Sequence, residues 1–326
     1  MADITTSGMP RRVLLLGATG TIGRATCAAL LARGLAVTCI VRSGARAALL
    51  PGAELQVAEV SDPAALTRAI GSARFDALVS CLASRTGVPE DAWAIDHRAH
   101  VTALAAAQAA GVTQVVLLSA ICVQKPLLAF QHAKLAFEAE LIASGLTWSI
   151  VRPTAYFKSL SGQIARVQAG KPFLLFGDGR LTACKPISDG DLGRYMADCL
   201  DDPALQNRIL PIGGPGPAIT SRQQGEALFA LLGQPPRFRQ VPVAMMDAII
   251  GVLSTLGRVA PGLRAKSELA RIGRYYATES MLVRDPLTGL YDADATPETG
   301  TETLFDYYAQ VIRGEAAVER GEHAVF

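Results

Sequence analysis

The aliphatic run Val13-Leu14-Leu15-Leu16 passes without a break into Gly17-Ala18-Thr19-Gly20-Thr21-Ile22-Gly23-Arg24. The aliphatic residues read as a buried strand, the three glycines as a tight turn, and the residues after them as the start of a helix. That order presents backbone N–H groups and the positive end of a helix to an anion. The three glycines differ in purpose. Gly17 permits the turn, Gly20 lets a phosphate approach the backbone, and Gly23 allows the helix to pack closely on the strand. Any tight turn from strand to helix favours glycine, so the motif gains its meaning from where it sits.

It sits at the first strand of an alternating pattern. Apolar runs at 12–16, 37–41, 55–60, 77–82, 115–119 and 148–151 alternate with Ala-rich helical stretches at 22–33, 63–70, 91–110 and 129–143. Short continuous apolar strands separated by helices predict a parallel sheet covered on both faces. The expected fold class is α/β, a Rossmann-type doubly wound parallel sheet with a smaller, mainly helical C-terminal substrate lobe. After Arg152-Pro153 the pattern loosens. A cofactor-binding domain over 1–155 is therefore expected, followed by a lobe over 156–326 interleaved with a late strand at 208–212. Helical stretches at 221–232 and 243–256 belong to that lobe, and the acidic, Thr-rich segment 292–302 reads as a surface loop.

Composition removes several alternatives. The 31 basic and 29 acidic residues leave a net charge of +2 and no concentrated basic run, which speaks against nucleic acid. Cys27, Cys39, Cys81, Cys122, Cys184 and Cys199 form no C-x-x-C pair and read as reduced thiols of a cytoplasmic protein. No metal site is expected: His97 and His100 are spaced i, i+3 on a helix, but no cysteines or clustered carboxylates complete a set. The opening residues lack the apolar stretch of a signal peptide. The most apolar later stretch, 248–257, is too short to span a bilayer and leaves only a peripheral membrane contact open. The sequence is silent on oligomeric state.

The choice of cofactor can be read from charge. A site for NAD usually places Asp or Glu after the second strand to hold the ribose 2′-hydroxyl. No acid occurs between Asp3 and Glu54, and the second strand runs instead into Arg42, with Arg46 beyond it and Arg24 just past the glycines. Guanidinium groups there would pair with a 2′-phosphate, so NADPH is expected. Asp62 reads as a helix cap that could also face the adenine. Thr19, Thr21 and Ile22 in the turn, Cys81 and Leu82 at the end of the fourth strand, and Arg152, Pro153 and Thr154 at the end of the sixth complete the expected cofactor contacts.

The G-x-x-G-x-x-G spacing resembles the extended branch of the short-chain dehydrogenase/reductases, and that likeness implies roles on the catalytic face. Ser119, which ends the fifth strand, is expected against the cofactor, and Lys134 matches the lysine that holds the nicotinamide ribose in that superfamily. The superfamily's tyrosine position is occupied by Phe130. A phenyl ring cannot donate a proton, so ordinary ketone reduction is unavailable. Lys134, His132, Lys125 and Tyr156 are the candidate donors in its place. His132 has the best intrinsic pKa but points to a different helix face from Lys134.

Gly17–Arg24, the retained Lys134 and Arg152-Pro153-Thr154 together resemble the atypical NmrA-like and isoflavone-reductase-like reductases. The C-terminal segments 276–283 and 291–300, with the closing Thr303-Leu304-Phe305-Asp306, are similar to the divinyl (proto)chlorophyllide 8-vinyl reductases. That resemblance implies NADPH-dependent reduction of a vinyl group on a Mg-tetrapyrrole and a place in the cytoplasm, peripheral to photosynthetic membranes. The apolar helical stretches 243–256 and 272–276 suit a flat apolar substrate, and equally suit plain core packing. Two rival expectations stand beside it: a non-catalytic NADPH-sensing or assembly protein of the NmrA-like branch, and a reductase of a smaller aromatic substrate.

Overall fold

The aliphatic runs pair side by side. In the computed structural model, which describes residues 10–258 and 260–318, six of them form β1 (Arg12–Leu16), β2 (Ala36–Val41), β3 (Glu54–Val57), β4 (Ala77–Ser80), β5 (Gln114–Leu118) and β6 (Thr147–Pro153). With Arg208–Ile212 they make a seven-stranded sheet in the order β3-β2-β1-β4-β5-β6 and then Arg208–Ile212. Every neighbouring pair is parallel. The order reverses between β1 and β4, and such a switch opens a crevice at the C-terminal ends of the strands.

Alternate residues of each strand feed opposite layers. Val13 and Leu15 of β1 join Val37 and Cys39 of β2 in a core closed by Leu30 of helix Thr21–Ala32 and Met196 of helix Asp189–Asp201. Leu14 and Leu16 face the other way, onto Leu66, Leu104 and Phe137 of helices Pro63–Ile70, His100–Ala109 and Ala129–Ala143. Helices Thr21–Ala32 and Asp189–Asp201 lie almost backbone to backbone, since a Cβ on Gly193 would come within 2.6 Å of the Ala25 carbonyl carbon.

The helix expected over 91–110 is interrupted. Pro89–Ala92 is α-helical, Trp93–Ala99 opens into a π-helical turn, and the α-helix resumes at His100–Ala109. Such bulges concentrate at functional sites, and this one carries Asp96.

Beyond the sheet a third core gathers Ile121, Phe157, Val167, Phe229 and Tyr308. The segment 292–302 is the expected surface loop, irregular and for the most part exposed, but it is anchored to the interior. Its Thr296 is 1% exposed. Gly213 donates its N–H to the Pro297 carbonyl at 2.8 Å, and Thr299 donates to the Gly213 carbonyl at 2.9 Å. The buried Asp191 carboxylate accepts from the N–H groups of Thr301 and Glu302 at 3.2 and 3.0 Å. Threonines and carboxylates that read as solvated polarity are here partners for backbone groups. No described helix is long and apolar enough to cross a membrane.

Candidate active site

The glycine turn explains itself sterically. Gly17 has φ +71 and presses on the Cys81–Leu82 backbone, and a Cβ on Gly23 would strike the Gly17 carbonyl. Gly20 is different. It is exposed, has φ −73, and a Cβ there would meet only the Gly17 oxygen at 3.4 Å. Nothing within the protein demands a glycine at that position, and the space over it is open. The helix that follows has no side-chain cap and no acid in its first turn. Its leading N–H groups and positive end face outward together, a cradle suited to a pyrophosphate.

A residue missed by sequence reasoning completes the cradle. Lys158, on the short helix Phe157–Leu160, donates from Nζ to Thr21 Oγ1 at 2.9 Å. An ammonium held against the positive end of a helix is unfavourable until an anion lies between them. The only sequence signal was a lysine shortly after the Arg152-Pro153-Thr154 run.

The adenosine end keeps the charge pattern read from the sequence. Arg42 is exposed at the C-terminal end of β2. Glu54 pairs with Thr38 at the other end of the β2–β3 register, whereas Val41 faces Val57 at the cofactor end. Asp62 is a helix cap, its Oδ1 accepting from Ala64 and Ala65 at 2.9 and 3.0 Å. The side chain of Arg46 lies outside the described residues.

At the nicotinamide end, helix Ala129–Ala143 aligns Phe130, Lys134 and Glu138 on one face by their spacing of four. The Lys134 Nζ lies 3.1 Å from Asp96 Oδ1, and the two side chains are only 11% and 1% exposed. Asp96 also accepts from the Ser84 N–H at 3.2 Å, and its second oxygen has no partner among the described residues. The π-helical turn thus supplies the anion that fixes the lysine's position.

Several expected contacts are corrected. Ser119 donates to Glu138, and the Arg152 guanidinium pairs with both oxygens of the same carboxylate. These two side chains, expected against the cofactor, are held by one buried carboxylate. Thr154 is buried, donating its hydroxyl to the Lys185 carbonyl and its N–H to the Ile212 carbonyl. Cys81 and Leu82 contribute their backbone to the seat of Gly17; the Cys81 thiol points to Thr26 Oγ1 at 3.6 Å and is pushed up to about 12 by burial. His132 is solvent-exposed, away from the Lys134 face. Lys125 is committed to Glu279 at 2.7 Å.

Two phenols gather around Cys122. Tyr156, half-buried against the Cys81 layer, has its pKa raised by burial and then by the neighbouring Cys81, Cys122 and Asp189 charges. Tyr276 is 38% exposed, with its hydroxyl 3.9 Å from the Cys122 sulfur. Burial of that hydroxyl lifts its pKa well above 10, reinforced by Cys122 and by Tyr156 itself. Both keep their protons at neutral pH. Phe130 meets Ile272 of helix Pro261–Thr278 over Gly87, which makes this side of the site apolar.

Comparison with known proteins bears on this arrangement. A family model described as NAD(P)H-binding matches residues 17–203. Divinyl chlorophyllide a 8-vinyl-reductase of Oryza sativa subsp. indica, a chloroplastic protein, is 49% identical over 96% of this chain and 82% of its own length. The chain belongs to the divinyl chlorophyllide a 8-vinyl-reductase family. The photosystem II assembly factor Ycf39 of Cyanophora paradoxa is more distant, at 27% identity over 72% of this chain and 73% of its own. An NADPH-dependent quinone oxidoreductase of Escherichia coli shares the fold, with TM-score 0.64 at 20% identity over 92% of this chain and 99% of its own. The 8-vinyl-reductase family thus accounts for nearly the whole chain, including the lobe beyond the cofactor domain.

Two expectations follow from the geometry. His100 is 2% exposed, donating from Nδ1 to the Ile95 carbonyl and accepting at Nε2 from the Ser80 hydroxyl, each at 2.9 Å. Burial, then the Lys134 charge, pushes its pKa down from 6.5 to about 4. The unfolded chain therefore takes up the proton first. Stability should fall by about 1.4 kcal/mol per pH unit between pH 6.5 and 4, and stay level with respect to this group above that window. Urea unfolding across the range measures the slope, and His100→Gln should flatten it.

Lys158→Ala should weaken NADPH binding by ~10- to 100-fold, the size of one charged contact, with little change in unfolding midpoint. Lys158→Arg should restore most of the affinity. Fluorescence titration with NADPH checks both.

Proposed function

We propose that this protein reduces the 8-vinyl group of divinyl chlorophyllide, or a closely related Mg-tetrapyrrole, to ethyl with NADPH. The observation that carries the reading is Phe130. The lysine that orients a nicotinamide ribose is retained and pinned by Asp96, while the acid that would protonate a carbonyl oxygen is replaced by a phenyl ring facing apolar Ile272. A site that keeps the orienting lysine without that acid calls for a substrate whose reduction does not put charge on oxygen. The 49% identity to a rice enzyme named for vinyl reduction points to the same chemistry.

Bound at the glycine turn, the cofactor supplies a hydride. Gly20, the N–H groups after it and Lys158 would hold the pyrophosphate, Arg42 and Arg24 the 2′-phosphate, and Lys134 the ribose of the nicotinamide. Hydride arriving at the terminal vinyl carbon leaves negative charge on the inner carbon, where the macrocycle delocalises it. A proton then completes the ethyl group. Tyr156 is the donor favoured by its position, with Tyr276 beside it. Its raised pKa is no obstacle, because a carbanion is far more basic than a phenolate. Lys134 serves as the orienting cation, since its ammonium is already engaged by Asp96.

Cofactor preference tests the adenosine end. NADPH should bind more tightly than NADH, and Arg42→Asp should shrink or reverse that difference by ~10- to 100-fold; equal affinity of the unmodified protein for the two would refute the assignment.

The chemistry has its own test. Incubation with divinyl chlorophyllide and NADPH should shift the Soret band to the blue, and ketone substrates should remain untouched. With deuterium at the transferable position of NADPH, label should appear on the terminal carbon of the new ethyl group, and solvent deuterium on the inner carbon. Phe130→Tyr should give no gain, because the added hydroxyl would lie in apolar surroundings. Label on the inner carbon, or a large gain from the tyrosine, would overturn the mechanism.

A further inference from the structure

Helix Val243–Leu256 has no buried residue. One face is spent on helix Pro261–Thr278, through the Asp247–Arg274 ion pair and the Ser254–Ser267 hydroxyl contact at 2.8 Å. The opposite face carries Met245, Ile249, Val252 and Leu256, which are 48%, 47%, 58% and 47% exposed. Their spacing of four, three and four places them in a single stripe along the helix. An apolar stripe of this length on an open surface marks a contact site.

Charge identifies the occupant. Residues 237–274, which contain this helix and its partner, carry seven Arg and Lys against two acids, in a chain with 31 against 29. The remainder of the molecule is therefore net negative. The two acids are themselves paired, Asp247 with Arg274 and Glu268 with Arg271. Arg239 and Arg258, both exposed, stand before and after the helix. A second copy of the chain would bring like charge against like. Nucleic acid would leave the stripe in water. A surface that is apolar within and anionic at its boundary satisfies both features at once, and a helix with cations at both ends lies along such a surface.

We infer that the apolar stripe of helix Val243–Leu256, rimmed by its arginines, docks in the plane of an anionic lipid membrane. This contact goes beyond the reduction itself and is independent of which pigment is reduced. It places the helical lobe, and with it the side of the site lined by Phe130 and Ile272, next to the phase in which an apolar pigment dissolves.

The test is co-sedimentation of the full-length protein with vesicles of phosphatidylcholine and phosphatidylglycerol, against vesicles of phosphatidylcholine alone. Binding should be at least ~10-fold stronger to the anionic vesicles and should weaken with salt. Ile249→Asp with Val252→Asp should abolish it. Arg239→Glu with Arg258→Glu should remove the lipid-charge preference. In both variants the circular dichroism spectrum and NADPH affinity should match the unmodified protein. Equal binding to the two vesicle types, or retained binding by the stripe variant, overturns the inference. So does loss of a dimer in the stripe variant by sedimentation velocity, which would assign the face to a second copy. Loss of pigment affinity with vesicle binding intact would assign it to the substrate. No turnover is measured, so failure here is distinguishable from failure of the vinyl-reductase reading.

Discussion

The contact between Gly17 and the Cys81–Leu82 backbone is the constraint from which the rest of the site follows. Only a residue without a side chain can sit there, at φ +71, with the end of β4 against it. That closeness brings the first helix down over β1, which in turn leaves no room for a Cβ on Gly23. It also leaves the N-terminus of the helix aimed along the crevice where the strand order reverses. The Lys158 ammonium, the Arg42 guanidinium and the Lys134–Asp96 pair take their places around that axis. Each lies on a different element and approaches from the C-terminal edge of the sheet.

A second layer of order lies below the cofactor face. Glu138, buried and one turn beyond Lys134, accepts from Ser119 and from Arg152. It ties the ends of β5 and β6 to the helix that carries the lysine. His100 does similar work on the other flank, linking Ser80 at the end of β4 to the π-helical turn. These groups are spent on contacts within the protein. They brace the elements that carry Lys134 and Asp96, and their polarity is tolerated because these bonds are made in the interior.

The sheet was legible because its strands are continuous aliphatic runs, and the phosphate cradle because its glycines are close in sequence and follow the first strand. The missing acid could be read at Phe130 only through the superfamily resemblance, which places a tyrosine four residues before Lys134. What escaped was whatever depends on chain segments far apart. Lys158 meets Thr21 across much of the chain, and only the folded topology brings them together. The fate of Ser119 and Arg152 depended on Glu138, a carboxylate that reads as an ordinary helix residue. The anchors of the 292–302 loop escaped for a related reason: threonine and aspartate serve solvent and backbone equally well, and which they serve is decided by what they face.

That last segment has a consequence for how the molecule comes into being. Gly213, at the end of the seventh strand, is bonded on both sides by Pro297 and Thr299, and Asp191 waits for the N–H groups of Thr301 and Glu302. During synthesis the earlier strands can pair as soon as they have emerged, but the edge strand then ends without these bonds at Gly213, and Asp191 keeps only its Arg194 partner among the described residues. Such an edge is where nascent chains pair wrongly. Completion of the fold is therefore a late event, made by residues translated long after the strand whose end they anchor, and a chain cut short before Asp292 would keep its glycine turn while losing that anchor.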